Sequence, residues 1–230
     1  MELAQRIAQV QAKICAAALE AGRDPAEITL EAATKTQTSP TVRAAIAGGI
    51  TLCGENRVQE MTAKLDDFAY DGAAVHFIGH LQTNKIRQVV GRVDMIESID
   101  SIHLLEGVSD YAHRRERRQD ILLEVNMAGE ASKGGFAPEE VLAAARRAAE
   151  LPGVRLRGLM CIPPIAQFPG ANREIFRKTF QLFVDIRRKM VDNNADITCL
   201  SMGMSRDYED AVREGATIVR VGSALFGPRS

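Results

Sequence analysis

The sequence predicts an α/β fold, a single (β/α)8 TIM barrel over residues 1–230 with an extra helix ahead of the first strand. Three observations predict it. Short β-type runs recur eight times, each separated from the next by a helical pattern, which means parallel strands joined by crossover connections. A length of 230 residues is ordinary for such a barrel, long for one sandwich and short for two domains. No linker, low-complexity tract or internal repeat divides the chain. A doubly wound open sheet is the alternative that periodicity alone does not separate from a barrel.

Leu3, Ile7, Val10 and Ile14 mark one face of an amphipathic N-terminal helix. The first strand is expected at 28–34, with Ile28, Leu30 and Ala32 on one face and Thr29, Glu31, Ala33 and Lys35 on the other. A helix at 40–48 has Pro40 in its first turn and Gly48–Gly49 after its end. The second strand, 50–53, leads to a helix at 56–68, where Val58, Met61, Leu65 and Phe68 recur at helical spacing. Strands at 75–79 and 94–97 bracket a helix at 83–91, and a helix at 101–117 precedes the fifth strand at 121–127. Pro138 suits the first turn of a helix at 138–149, which feeds the sixth strand at 154–161. After the irregular stretch 163–172 comes the longest helix, 171–194, carrying Ile175, Phe176, Thr179, Phe180, Phe183, Ile186 and Met190. Strands at 197–201 and 217–221 flank a helix at 206–214 that Gly215 closes.

Composition narrows the function classes. Hydrophobic content of 46% and charged content of 26% suit a globular chain with a sizeable core. Lys+Arg 29 against Asp+Glu 30 gives a net charge of -1, so nothing favours a polyanionic partner. Arg114, Arg115, Arg117 and Arg118 are interrupted by Glu116 and read as a solvated helix end, not a nucleic-acid contact. Cys15, Cys53, Cys161 and Cys199 form no C-x-x-C pair, so reduced thiols in a cytoplasmic protein are expected. There is no signal-type apolar core at the N-terminus and no apolar run long enough to span a bilayer. Without a long apolar surface stripe, a monomer is expected.

In a barrel, chemistry belongs to the carboxyl ends of the strands, and phosphate often binds after strands seven and eight. Lys35 ends strand one, 200–207 follows strand seven and 220–223 closes strand eight, so all three meet at one mouth. Desolvation lowers a lysine's pKa and makes it a nucleophile able to form a Schiff base with an aldehyde. Ser201, Gly203 and Ser205, with Gly222 and Ser223, are small enough for backbone N–H groups to approach an anion, and the helix starting near Arg206–Asp207 is expected to aim its positive end there. Arg220 lies on one face of strand eight and suits a third role, partner of a cofactor ring nitrogen. Pyridoxal 5'-phosphate (PLP) needs all three: an imine lysine, a phosphate site and a group fixing the pyridine nitrogen. Arginine only donates, so the ring nitrogen would stay unprotonated and serve poorly as an electron sink.

Asn56 reads either as a contact to the cofactor's phenolic oxygen or as a helix N-cap. His76 and His80 are four apart, but a strand running into Gly79 does not present that spacing to zinc, so no metal site is expected; His76 and Ile78 should point inward with His80 near the mouth. Lys133, in the glycine-flanked loop after strand five, reads as a solvated loop lysine or a second anion contact.

The blocks A-T-K-T (33–36), G-E-N-R-V-Q-E (54–60), H-F-I-G-H-L-Q-T-N-K (76–85), N-M-A-G-E-A-S-K-G-G (126–135), R-G-L-M-C-I-P (157–163), L-S-M-G-M-S-R-D (200–207) and R-V-G-S-A-L-F-G (220–227) occur in that order. Together they resemble the pyridoxal-phosphate homeostasis proteins over essentially the whole chain. The resemblance implies a barrel like the N-terminal domain of alanine racemase, with Lys35 as the imine lysine and Arg220 as the ring-nitrogen partner. It puts Ser201, Met204, Ser205, Gly222 and Ser223 on phosphate-binding segments, Asn56 on a ring-contacting one and Lys133 at a secondary cofactor contact. Departures are Thr34 where serine is frequent, Gln37 for a common lysine, Ser223 for threonine, and no arginine in 98–103.

The function expected is a carrier and buffer of PLP in vitamin B6 and amino-acid homeostasis, handing cofactor to PLP-dependent apo-enzymes, with no robust catalysis of its own. The alternative is an amino-acid racemase or another PLP enzyme of the same fold type. Racemisation needs acid and base on opposite faces of the α-carbon. Alanine-racemase-like enzymes take one of these from a second domain, and Ser230 closely follows strand eight, so that domain is expected to be missing. A Schiff-base aldolase is disfavoured because such enzymes generally carry their lysine late in the barrel.

Overall fold

The computed structural model describes residues 2–129, 134–190, 192 and 195–227. Eight parallel strands close into a barrel in sequence order: β1 Thr29–Ala33, β2 Leu52–Glu55, β3 Ala74–Phe77, β4 Met95–Ile99, β5 Gln119–Val125, β6 Val154–Cys161, β7 Cys199–Ser201 and β8 Ile218–Val221. β8 pairs with β1 through Thr29–Ile218 and Glu31–Arg220, which excludes the open sheet. Around them lie α2 Ser39–Ala47, α3 Val58–Asp66, α4 Ile86–Val89, α5 Ile102–His113, α6 Val141–Glu150, α7 Arg173–Lys189 and α8 Tyr208–Arg213, with α1 Leu3–Glu20 ahead of the barrel and α9 Ser223–Phe226 after it.

The alternation along β1 sorts the core into two regions. Leu30 and Ala32 join the apolar layer between strands and helices, whereas Glu31 points into the barrel. α1 seals the outer layer with Ile7, Val10 and Ile14, and Arg23 just past its end donates to the carbonyls of Val212 (2.6 Å) and Ala216 (2.9 Å). The barrel interior is divided. Met95, Leu122 and Met160 form an apolar group, while Glu31, His76, Glu97, Ser201 and Arg220 form a buried polar one.

Several helices differ from expectation. The expected 83–91 helix is a 3-10 turn, Thr83–Lys85, followed by the single α-helical turn of α4. Pro138 lies in the turn before α6, not in its first turn. Asn56 is not an N-cap; α3 begins after Arg57. Phe68 lies beyond α3 in a left-handed conformation (φ 51°), 70% exposed, and Lys64 is buried on that helix instead. Helix α8 starts at Tyr208, because 205–207 form a turn. The helix α9 was not anticipated; it is one turn long, too short for a periodic signal.

No helix among the described residues is long and apolar enough to cross a membrane.

Candidate functional site

The mouth is assembled around the turn that leaves β1. Thr34 is buried, donates from Oγ1 to Glu55 Oε1 at 2.6 Å and accepts Lys64 Nζ on its carbonyl at 2.7 Å. Glu55 Oε1 also receives Lys64 Nζ at 2.5 Å and the Tyr70 hydroxyl at 2.8 Å. Burial, and then the Glu55 charge, push the Tyr70 phenol far above its ordinary range, so it stays a hydrogen-bond donor. Thr36 takes a left-handed conformation (φ 65°) and its N–H donates to Glu60 at 2.8 Å. Lys35 therefore sits, half-buried, on a turn clamped from both sides. Its strand face carries Ala33, and a Cβ on Gly222 would lie 3.5 Å from the Ala33 Cβ, so the strand-eight loop closes against the same wall.

Asn56 follows β2 on the neighbouring rim. Its backbone presses on Gly79, where a Cβ would come within 2.0 Å of the Asn56 carbonyl oxygen; glycine is required by that approach. Asn56 Oδ1 is buried and has no hydrogen-bond partner. His80, exposed at the rim, has Nδ1 2.9 Å from Asp100.

Arg220 is 4% exposed, and its guanidinium is fixed inside the barrel. Nη1 donates to Ser201 Oγ at 2.5 Å and Nη2 to the Cys161 carbonyl at 2.8 Å. Ser201 in turn donates to Glu97 Oε2 at 2.6 Å, and Glu97 Oε1 lies 2.7 Å from His76 Nδ1. Burial alone would raise the Glu97 pKa, but the His76 contact, the Arg220 charge and the Ser201 hydroxyl outweigh it and hold this carboxyl below its ordinary value. Glu31 goes the other way: burial first, then the Glu97 charge, push it well above the carboxylate range against the opposing pull of Arg220. Glu124 is also raised, by burial and by Asp100.

On the third side, Ser205 Oγ accepts the backbone N–H groups of Gly222 (3.1 Å) and Ala224 (3.2 Å), joining the strand-seven and strand-eight loops. Gly203, at φ 90°, lets the first loop pack on α8, where a Cβ would meet the Ala211 Cβ at 2.4 Å. Ser223 is exposed and Met204 half-buried beside them.

The expected residues Lys35, Asn56, Met204, Ser205, Arg220, Gly222 and Ser223 thus gather at the carboxyl ends of β1, β2, β7 and β8. Two details add to the sequence reading. The Ser201 hydroxyl is engaged within the barrel, donating to Glu97 and accepting from Arg220. Asp207, the residue before α8, spends its carboxylate on the Met204 N–H (2.7 Å) and the Asn172 amide (2.7 Å) and makes no side-chain cap to the helix, while the N–H groups of Gly222 and Ala224 are taken by Ser205. Lys133 lies outside the described residues.

Sequence reasoning missed Glu55 and Lys64, the pair behind the Lys35 turn, and Glu97, the partner of His76 and Ser201. A signal existed for the last: a glutamate flanked by Met95, Ile96 and Ile99 in a strand is a charge inside an apolar run. The donor set fits PLP. An amine on a fixed turn, a buried guanidinium, an orphaned amide oxygen and a hydroxyl flanked by backbone N–H groups lie at the carboxyl ends of β1, β8, β2 and β7.

The family model for the alanine racemase N-terminal domain matches residues 11–230. Over 229 residues the chain is 39% identical to a pyridoxal phosphate homeostasis protein of Aquifex aeolicus, covering 100% of this chain and 99% of the relative. It is 41% identical over 227 residues to a pyridoxal phosphate homeostasis protein of Pseudomonas aeruginosa, covering 99% and 96%. Among solved structures, PipY of Synechococcus elongatus with PLP bound superposes with a TM-score of 0.85 at 31% identity, over 98% of this chain and 100% of that one. An alanine racemase of Clostridium difficile, at 12% identity and a TM-score of 0.71, shares the fold.

Proposed function

Since the chain belongs to the pyridoxal phosphate homeostasis proteins, built on the alanine racemase N-terminal type of domain, we propose that it holds PLP and releases it to other proteins. Residues 1–230 act as one cofactor-binding domain. Lys35 is the covalent tether for the cofactor's aldehyde, Arg220 the donor to its ring nitrogen and Asn56 a ring contact; Ser205, Met204, Gly222 and Ser223 take the phosphate. Ser201 belongs to this set through Arg220. Lys133 is kept as a secondary contact on the resemblance alone. The bound group supplies a reactive aldehyde and an aromatic ring able to accept electrons when its nitrogen is protonated.

The observation that carries the holding role is the immobilised guanidinium of Arg220. It has no proton to give up at ordinary pH, and two of its nitrogens are committed to Ser201 and Cys161. A ring nitrogen facing such a donor stays unprotonated, which suppresses carbanion chemistry and favours storage. The partners that would draw on such a store are PLP-dependent apo-enzymes. We also propose a monomer in the cytoplasm. The thiol pKa values of Cys53 and Cys161 are pushed up by burial, to about 12 and about 11, as suits unreactive reduced cysteines.

Borohydride reduction of the cofactor-loaded protein followed by peptide mapping tests this reading. The cofactor should be found on Lys35, and Lys35→Ala should lose both that adduct and the visible absorption band. A normal adduct in the variant, or one confined to Lys133, would overturn the tether. Rapid racemisation of alanine by the pure protein would overturn the holding role.

A further inference from the structure

Beneath Arg220 the barrel axis carries a group of residues that no cofactor role accounts for in full: Glu97 and His76 back Ser201, but Glu31 has no part in that chain. Glu31 from β1, His76 from β3 and Glu97 from β4 bring one ligand atom each to within 4.8 Å of one another. His76 Nδ1 stands 2.7 Å from Glu97 Oε1 and 3.8 Å from Glu31 Oε1. Both glutamates are fully buried and His76 nearly so. The decisive feature is Glu31. Neither of its carboxylate oxygens has a hydrogen-bond partner, although the side chain is aimed at the imidazole. Its position is enforced, because it fills the space beside Gly54, where a Cβ would lie 2.5 Å from Glu31 Oε1.

From this geometry we infer that Glu31, His76 and Glu97 form a binding site for one divalent transition-metal ion of the Zn²⁺, Mn²⁺ or Fe²⁺ class. One imidazole and two carboxylates make a mixed nitrogen and oxygen donor set, which suits such ions and not a soft thiolate-seeking metal. A buried carboxylate without a donor is otherwise an uncompensated polar group, and a cation is the partner that both of its oxygens can use. Donor atoms must close to about 2.0–2.2 Å from the ion, so the three atoms, now within 4.8 Å of one another, draw around it as it enters. An imidazole ligates as the neutral form, so any proton held between His76 and Glu97 passes to Nε2 or to solvent as the ion enters. Entry does not cross the cofactor mouth. His76 also lines a cavity of about 930 Å³ at the opposite, amino-terminal end of the barrel, floored by Thr29, Thr51, Ala74, Thr198 and Thr217. The expectation of no metal, drawn from the pairing of His76 with His80, overlooked partners that lie on other strands. The inference is independent of the cofactor reading.

The test uses the full-length, untagged protein treated with chelator, titrated calorimetrically with Zn²⁺ and, in parallel, with Co²⁺ monitored by visible absorption. One ion per chain, Co²⁺ bands of a nitrogen- and oxygen-ligated site, and a rise in thermal midpoint with Zn²⁺ are expected. Glu31→Leu keeps roughly the volume and removes the unpartnered carboxyl group; it should weaken binding by at least about 100-fold, more than loss of an outer partner costs, and abolish the midpoint rise. If that variant does not fold, Glu31→Gln and Glu97→Gln are measured the same way, each with at least about tenfold weakening expected. Wild-type protein that takes no ion below millimolar concentration, or variants that bind as tightly as wild type, would overturn the site and leave Glu31 as a buried protonated acid.

Discussion

Replacing Lys64 with methionine removes the cation from the buried group that clamps the Lys35 turn. The methionine stem keeps most of the packing, so the change isolates the charge. Lys64 and Glu55 have side-chain exposures of 8% and 0%, and the ammonium lies 2.5 Å from Glu55 Oε1 and 2.7 Å from the Thr34 carbonyl. After the substitution Glu55 keeps only the Thr34 and Tyr70 hydroxyls on Oε1, and its other oxygen, Oε2, has no partner even in the wild type. Stranding one partner of a buried pair costs about 3–5 kcal/mol. For a domain of this length each kcal/mol moves the midpoint by about 2–4 °C, so Lys64→Met should melt roughly 6–20 °C lower. The chain has no tryptophan, so unfolding in urea is followed by circular dichroism, with the cofactor's visible band as a second probe. Adding Glu55→Gln removes the stranded charge but keeps an acceptor for both hydroxyls, and should recover more than half of the loss. A single-variant loss below about 1 kcal/mol, the range of a surface pair, would refute the claim that this network is desolvated. So would a double variant no more stable than Lys64→Met alone.

Gly79→Ala should destabilise by about 1–3 kcal/mol or more, because the new Cβ would lie 2.0 Å from the Asn56 carbonyl oxygen; urea midpoints measure the loss, and weakened PLP binding should accompany it. Ser201→Ala removes the hydroxyl between Arg220 and Glu97, with an expected cost of about 1.5–3 kcal/mol. It should shift the visible band of the loaded protein while leaving the borohydride adduct on Lys35, a combination that an effect on stability alone would not produce. Glu124 gives a pH signature. Its folded pKa is raised, by burial and then by Asp100, so above the unfolded value of about 4.3 the unfolded chain releases this proton before the folded one does. Stability should therefore fall as pH rises from that value through the folded pKa, and urea midpoints of Glu124→Gln across the same range should lack that slope.

The barrel was legible because its signal is carried by alternation and length. All eight expected strands are present, and alternation puts Glu31 with Lys35 and Ile218 with Arg220 on shared faces; the closed barrel adds that Glu31 and Arg220 are buried inside it. What escaped were features fixed by contacts between distant residues. The buried lysine of the region is Lys64, whose desolvation is compensated by Glu55, nine positions away. Strand periodicity could not reveal that pairing, since it depends on how α3 lies against the end of β2. The sequence points to Gly222 and Ser223 as well as to the start of α8 for an anion, but the tie that Ser205 makes to the Gly222 and Ala224 N–H groups joins two separate loops and leaves no local pattern. Ser201 closes β7 where the sequence puts the end of that strand, but its bond to Arg220 on β8 is a contact between strands that no local pattern shows.

That polar interior bears on why such a barrel would hold a cofactor without using it. An arginine on a strand wall could swing toward substrate or solvent if its guanidinium were held by one partner. Here Ser201 and the Cys161 carbonyl take two of its nitrogens, and Glu97 behind Ser201 is itself held by His76. Each link is buried, so breaking any one without a replacement strands a polar group. In the proposed function, a ring nitrogen would meet a donor held by two buried partners. The nearest buried acid, Glu97, meets this arginine through the Ser201 hydroxyl and directly across 3.9 Å, so the charge of the guanidinium is balanced within the barrel wall.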